Sequence, residues 1–236
     1  MIRFDNVTKR FFGHTNALSD VSVEINNGEF VFLIGPSGAG KTTFLRLLIR
    51  DILPTKGTIF IDDWNVSTLK TSHIYILRRK IGTVFQDFKL LIDRTVFENV
   101  SLGLEILGKS SKEISSRVMD VLELVGLSEK RNNFPLQLLA GEMQRTGIAR
   151  AIVGGPSILL ADEPTGNLDP QTSWDILDIL SEIQKIGTTV IMATHNAGIV
   201  NNLKKRTICL EHGKIIRDEV KGRYHIAAKL KERLSS

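Results

Sequence analysis

The chain has 236 residues, 42% hydrophobic and 24% charged, which is ordinary for a globular protein and enough to bury a core in one large domain, with or without an insertion. No stretch approaches the roughly 18 uninterrupted apolar residues of a membrane span, the opening MIRFDNVTKR has no apolar signal core, and the single cysteine, Cys209, excludes a disulfide framework, so a cytoplasmic chain is expected. The net charge of +5 is spread out, and its densest clusters, Arg78-Arg79-Lys80 and Lys204-Lys205-Arg206, are short and free of nucleic-acid motifs; both are expected on solvated surface, with no nucleic-acid partner.

Strand-like runs begin at Ile2–Phe4 and Val21–Ile25, whose alternation suits an antiparallel layer, followed by the continuously apolar Phe30–Ile34. Directly after that run comes Gly35-Pro36-Ser37-Gly38-Ala39-Gly40-Lys41-Thr42-Thr43, which fits G-x-x-x-x-G-K-[ST], and then an apolar helix, Phe44–Ile49. Glycines there let backbone N–H groups curl round phosphate oxygens, and the helix N-terminus adds partial positive charge. Gly35, Ser37, Gly38, Ala39, Gly40, Lys41, Thr42 and Thr43 are therefore read as holding nucleotide phosphates. Lys41 is expected to reach the β- and γ-phosphates, and the Thr42 hydroxyl to bind Mg²⁺.

Gly57–Ile61 is a further strand, and from about 88 to 155 the pattern is helical with no long strand. Within it, Ser110-Ser111-Lys112-Glu113 is a capping-box sequence ahead of a face of Ile114, Val118, Val121, Leu122 and Val125. The stretch reads as a helical subdomain inserted in an α/β core of residues 1–87 and 156–236, the whole forming a single ATP-binding domain. Ser157–Ala161 is a strand buried on both faces, as in a parallel sheet. It delivers Asp162, expected to hold Mg²⁺, and Glu163, expected to orient or deprotonate the attacking water. Asp169-Pro170 reads as a helix N-cap followed by proline, leading into Trp174, Leu177, Leu180 and Ile183. The strand Thr189–Ala193 ends at Thr194-His195, at the sheet edge where the phosphates belong. In the strand Thr207–Leu210, Cys209 reads as a buried small hydrophobe. His225–Leu234 reads as a terminal helix on the protein's own surface or, alternatively, as an amphipathic helix touching membrane or partner.

With these pieces in this order, the sequence resembles the ATP-binding subunits of ABC transporters over nearly its whole length. The resemblance implies a P-loop NTPase core of the ABC ATPase type, a mixed sheet with an antiparallel β layer, plus a helical subdomain, with ATP and Mg²⁺ as ligands. It places Gln86, in Val84-Phe85-Gln86-Asp87, in the loop that touches Mg²⁺ and water and senses the membrane partner. It places Gly166-Asn167-Leu168-Asp169 in a loop crossing a dimer interface, His195 against the γ-phosphate, and Phe11 where an aromatic stacks on adenine. Within the family, Phe85–Leu91, Asp93–Val100, Thr165–Trp174 and Leu210–Ile215 resemble the cell-division branch, FtsE, more closely than the lipoprotein-release or macrolide-export ATPases. That branch implies a homodimer docked on an integral membrane subunit resembling FtsX, peripheral on the inner face of the cell membrane. It also implies control of cell-wall hydrolysis and a link to division-ring proteins. The other readings are an ATPase motor of the lipoprotein-release or macrolide-export type and an ATP-gated switch that does not hydrolyse.

One loop departs from the family. Its signature reads L-S-G-G-E, and here the aligned residues are Leu138-Leu139-Ala140-Gly141-Glu142, between the well-matched flanks Phe134-Pro135 and Ile148–Ala151. In the family this loop reaches across the dimer to the γ-phosphate, so Leu139, Ala140, Gly141 and Glu142 are read as nucleotide-binding. Leu139 has no hydroxyl to donate, and Ala140 adds a Cβ where backbone must come close. Slow turnover is the expectation.

Overall fold

The computed structural model describes residues 1–11 and 16–224, so the segment His225–Leu234 lies outside the described residues. In chain order the first half runs β1 (Ile2–Arg10), β2 (Asn16–Ile25), β3 (Phe30–Ile34), α1 (Lys41–Leu48), β4 (Lys56–Ile61), β5 (Trp64–Asn65), α2 (Ile74–Arg79) and β6 (Ile81–Val84). Three helices follow with no strand between them: α3 (Val96–Ile106), α4 (Ser111–Leu124) and α5 (Ala140–Ile152). The rest runs β7 (Ile158–Asp162), α6 (Pro170–Lys185), β8 (Thr189–Thr194), α7 (Ala197–Leu203), β9 (Arg206–Glu211) and β10 (Lys214–Glu219).

Two sheets result. The smaller is antiparallel, in the order β2-β1-β4-β5, with Ile2 level with Ile25 on one side and Ile61 on the other. The larger has the order β10-β9-β3-β8-β7-β6 and is parallel except for β10, which runs back along β9 at the edge. Along β3, Phe30, Phe32 and Ile34 point to one core while Val31 and Leu33 point to the other, as the two-residue period of a strand requires. The first core lies under α3 to α7. The second lies between the two sheets and encloses α1, whose Phe44 stacks flat on Phe4 of β1 with centroids 4.2 Å apart.

The helix starts follow their sequence signals. Ser110 Oγ accepts the Glu113 N–H (3.4 Å) and the Glu113 carboxylate accepts the Ser110 N–H (3.0 Å), a complete capping box on α4. Asp169 Oδ1 accepts the Thr172 N–H at 3.0 Å, capping α6 ahead of Pro170. One surface expectation is corrected: Arg206 is not simply solvated. Its guanidinium ties the start of β9 to Glu29 at 2.7 Å and to Asp218 of β10 at 2.8 Å, which fixes the antiparallel edge strand. Cys209 is buried, as expected. Among the described residues, no helix is long and apolar enough to cross a membrane.

Candidate functional site

The parallel strands all end at the same sheet edge, and the loops that leave them supply the site. Between β3 and α1 the chain wraps from Gly35 to Gly40, which stands at the N-cap of α1 with φ 109°. A Cβ on Gly40 would run into the carbonyl oxygen of Ala17 and the side chain of Leu18 on β2, so the position tolerates only glycine. No side chain caps α1 and no acidic residue occupies its first turn. The N–H groups of that turn are thus left for an external anion. They open on a cavity of about 490 Å³ lined by Ala17, the loop from Ser37 to Thr43, Gln86, Asp162, Glu163 and His195. Lys41 is only 8% exposed. Its ammonium donates to the Gly35 carbonyl at 2.8 Å and the Pro36 carbonyl at 3.1 Å, and lies 3.9 Å from Glu163 Oε1.

Two carboxylates face this lysine from the end of β7. Burial pushes the Asp162 carboxyl above the ordinary aspartate value; a hydrogen bond with Thr42 opposes this, the Glu163 charge adds to it, and Lys41 offsets part of it. Glu163 has left-handed backbone, φ 49°, a costly conformation for a residue with a Cβ, and its N–H donates to the Ala193 carbonyl at 3.0 Å. Its carboxylate lies 2.9 Å from His195 Nδ1 and accepts the His195 backbone N–H at 3.4 Å. Thr42 and Asp162 supply hard oxygen donors, and no cluster of three His, Cys, Asp or Glu side chains is present among the described residues. Two protein oxygens completed by phosphates and water are the usual environment of Mg²⁺ rather than of a softer metal, so the donor set fits that ion.

Gln86 follows β6 and forms a reciprocal amide pair with Asn167. Its Nε2 donates to Asn167 Oδ1 at 3.4 Å, and Asn167 Nδ2 donates to the Gln86 carbonyl at 3.2 Å. Two residues further, Phe88 and Lys89 are both left-handed, with φ 57° and 49°. Their carbonyls are held by one guanidinium: Arg150 of α5 donates to Lys89 O at 2.7 Å and to Phe88 O at 2.9 Å. The sequence pattern places Asn167 only in a loop expected at a dimer interface, not beside Gln86, and gives Arg150 no site role. Nothing in the local pattern around Arg150 ties it to residues 61 and 62 positions earlier.

The remaining expected site residues lie outside the cavity of the single chain. Phe11 directly follows β1, is 40% exposed, and has the Lys9 ammonium over its ring at 5.1 Å. Asp169 is engaged in capping α6. Leu139, Ala140, Gly141 and Glu142 form the start of α5, with Leu139 75% exposed at the N-cap. Half of a capping box remains there: Glu142 Oε2 accepts the Leu139 N–H at 2.9 Å, but Leu139 has no oxygen to return the bond. Gly141 packs closely on α6: a Cβ there would press on the Thr172 methyl and require that side chain to turn away.

A sequence profile of the family described as "ABC transporter" matches residues 18–166. The chain is 52% identical over 224 residues to the cell division ATP-binding protein FtsE of Bacillus subtilis (strain 168), covering 95% of this chain and 98% of that one. It is 46% identical over 213 residues to the protein of the same name in Escherichia coli (strain K12), covering 90% and 96%. Among solved structures, it superposes with a TM-score of 0.85 and 36% identity on an ATP-binding cassette determined as a dimer in a post-hydrolysis state bound to ADP and Pi, covering 95% of this chain and 100% of that one.

Proposed function

We propose that this chain, which belongs to the ABC transporter family as an ATP-binding subunit, is the ATPase of an FtsEX-type complex in cell division. Closure of two copies on ATP would drive a membrane subunit that controls cell-wall hydrolysis. The observation that carries the catalytic reading is the convergence of Lys41, Asp162, Glu163 and His195 on one cavity floored by the uncapped start of α1. The cell-division reading rests on FtsE relatives matched along nearly their whole length.

In the mechanism we infer, Lys41 exchanges the Gly35 and Pro36 carbonyls for the β- and γ-phosphates. The backbone N–H groups from Gly38 to Thr43 and the Ser37 hydroxyl surround the β-phosphate. Thr42, Asp162 and Gln86 would hold Mg²⁺, which would supply neutralisation of charge developing on the phosphate oxygens. Glu163, oriented by His195 and by its strained backbone, accepts a proton from the water that attacks the γ-phosphorus in line. ADP departs as the bond to its β-phosphate oxygen breaks, and phosphate leaves afterwards. In the ATP-bound state His195 also serves the γ-phosphate, Phe11 the adenine, and Asp169 the interface loop. Leu139, Ala140, Gly141 and Glu142 act from the second copy of a homodimer. The segment 88–155 moves as a helical subdomain, carrying the Gln86 loop with it, while the complex sits on the inner face of the membrane.

A second reading is favoured by one observation, the missing hydroxyl at Leu139: a switch that closes on ATP without hydrolysing it. Steady-state ATPase assays on the wild type and on Glu163→Gln separate the two. The expected result is slow turnover in the wild type and a fall of about 10²–10⁴-fold in the variant with ATP binding retained. If the wild type and a Leu139→Ser/Ala140→Gly variant are both silent while ATP binds, the switch replaces the enzyme.

A further inference from the structure

Of the three residues expected to hold Mg²⁺, Gln86 is the only one that can present the wrong atom. A carboxylate or a hydroxyl offers oxygen whichever way it turns, whereas a primary amide turned the other way round offers its NH₂, which cannot bind a cation. The Gln86 amide stands where two cavities meet. Thr42, Gln86, Asp162 and Glu163 line both the phosphate cavity and a neighbouring one of about 690 Å³, while Asn167 lines the second and not the first. Asn167 therefore reaches Gln86 from outside the phosphate cavity.

Its two hydrogen bonds settle which way the Gln86 amide turns. The Gln86 backbone carbonyl can only accept, so Asn167 must give it Nδ2, at 3.2 Å. That leaves Asn167 Oδ1, which also can only accept, and it takes the Gln86 Nε2 N–H at 3.4 Å. Gln86 Oε1 is the atom left over, and among the described residues it meets no donor. Gly166 lets the pair close, because a Cβ there would stand 3.0 Å from Gln86 Nε2 and 3.3 Å from its Cδ. Both amides are exposed, so their bonds compete with water and add little to folding. We infer that Asn167 is a positioning residue for the metal: it engages the Gln86 nitrogen and leaves the oxygen free for Mg²⁺. The inference rests on the reading that Gln86 helps to hold the ion, and it adds what selects the atom that Gln86 offers. A cation on Oε1 would draw electron density from the amide and make Nε2 a stronger donor, so the long 3.4 Å bond and the metal would reinforce each other. Asn167 contributes orientation, not a ligand, as the outer partners of metal ligands do.

The test titrates Mn²⁺, followed by electron paramagnetic resonance, into the full chain holding a non-hydrolysable ATP analogue. It compares the wild type, Asn167→Leu, Gln86→Ala and the double variant. Binding of the analogue without metal is measured first, and each variant is expected to match the wild type. Asn167→Leu should then weaken Mn²⁺ binding by about tenfold. It should cause no further loss in a chain that already carries Gln86→Ala, since a positioning residue has nothing to position once the amide is gone. Loss of metal-free nucleotide binding in Asn167→Leu would make the residue structural and overturn the inference. So would an equal loss of Mn²⁺ affinity with and without Gln86, which would show that Asn167 acts by another route. If Gln86→Ala weakens Mn²⁺ binding and Asn167→Leu does not, the inference falls while the metal role of Gln86 stands. If Gln86→Ala binds Mn²⁺ like the wild type, that metal role falls and this inference with it.

Discussion

Leu139 stands at two separable places at once, the start of a helix and the loop proposed to meet ATP from a second copy. As N-cap it leaves α5 without a side-chain oxygen, although Glu142 already makes its half of the capping box. Leu139→Ser should complete the box and raise the stability of the isolated chain by about 1 kcal/mol, measured by urea denaturation. Combined with Ala140→Gly it should also restore a γ-phosphate donor and raise turnover by up to about 10²-fold in an ATPase assay. A stability gain without faster hydrolysis would show that the serine acts only as a cap. At this scale the sequence was legible wherever a residue's chemistry is carried by its immediate neighbours. Lys41, Thr42, Asp162, Glu163 and His195 were all placed from local runs, and the cavity gathers them. Asn167 and Arg150 were not, because each acts on a backbone or side chain 61 to 81 positions away, and no neighbouring residue encodes that distance.

The elements were legible in proportion to their length and polarity contrast. The helices α4 and α6 announced both their caps and their buried faces. The strand β6 escaped because four residues with a central glycine form no run, and β10 because Lys214, Arg217, Asp218 and Glu219 make an exposed edge strand look like a loop. Electrostatics at helix starts gives a direct check on α5. The Glu142 carboxyl is held below its ordinary 4.5, first by the Leu139 N–H and secondarily by Lys130. Because its folded value lies below its unfolded one, the bond stabilises the helix start fully above about pH 4.5 and is lost as pH falls through the lower folded value. The Leu139 amide resonance should therefore titrate with a midpoint below 4.5, and a midpoint at or above it would remove the bond from the account.

Seen whole, the molecule is a parallel sheet with a different core on each face, and the phosphate loop belongs to the core that both sheets share. Helix α1 is held between the sheets, and the Phe4–Phe44 stack is one contact that ties it to the antiparallel one. Phe44→Ala should cost about 3–5 kcal/mol in thermal or denaturant unfolding. ATP affinity should drop with it, because the N–H groups of the α1 first turn lose their fixed position. Unchanged affinity in the variant would mean that β3 alone positions the loop. The division into two layers was legible from alternating and continuous apolar runs. That the layers clamp one helix was not, since stacking between residues 40 positions apart leaves no periodicity.

The left-handed backbone of Glu163 sets durability against work. The fold bears strain there, together with a second negative charge beside the half-buried Asp162, and under the proposed mechanism both are spent on hydrolysis. Glu163→Asn, which suits that backbone better and removes the charge, should melt at a higher temperature by an amount corresponding to about 1 kcal/mol while turnover disappears. Selection for heat resistance alone would therefore erode this position first, and a lineage that keeps glutamate here gives evidence, by that choice, that its cells need ATP cleaved as well as bound.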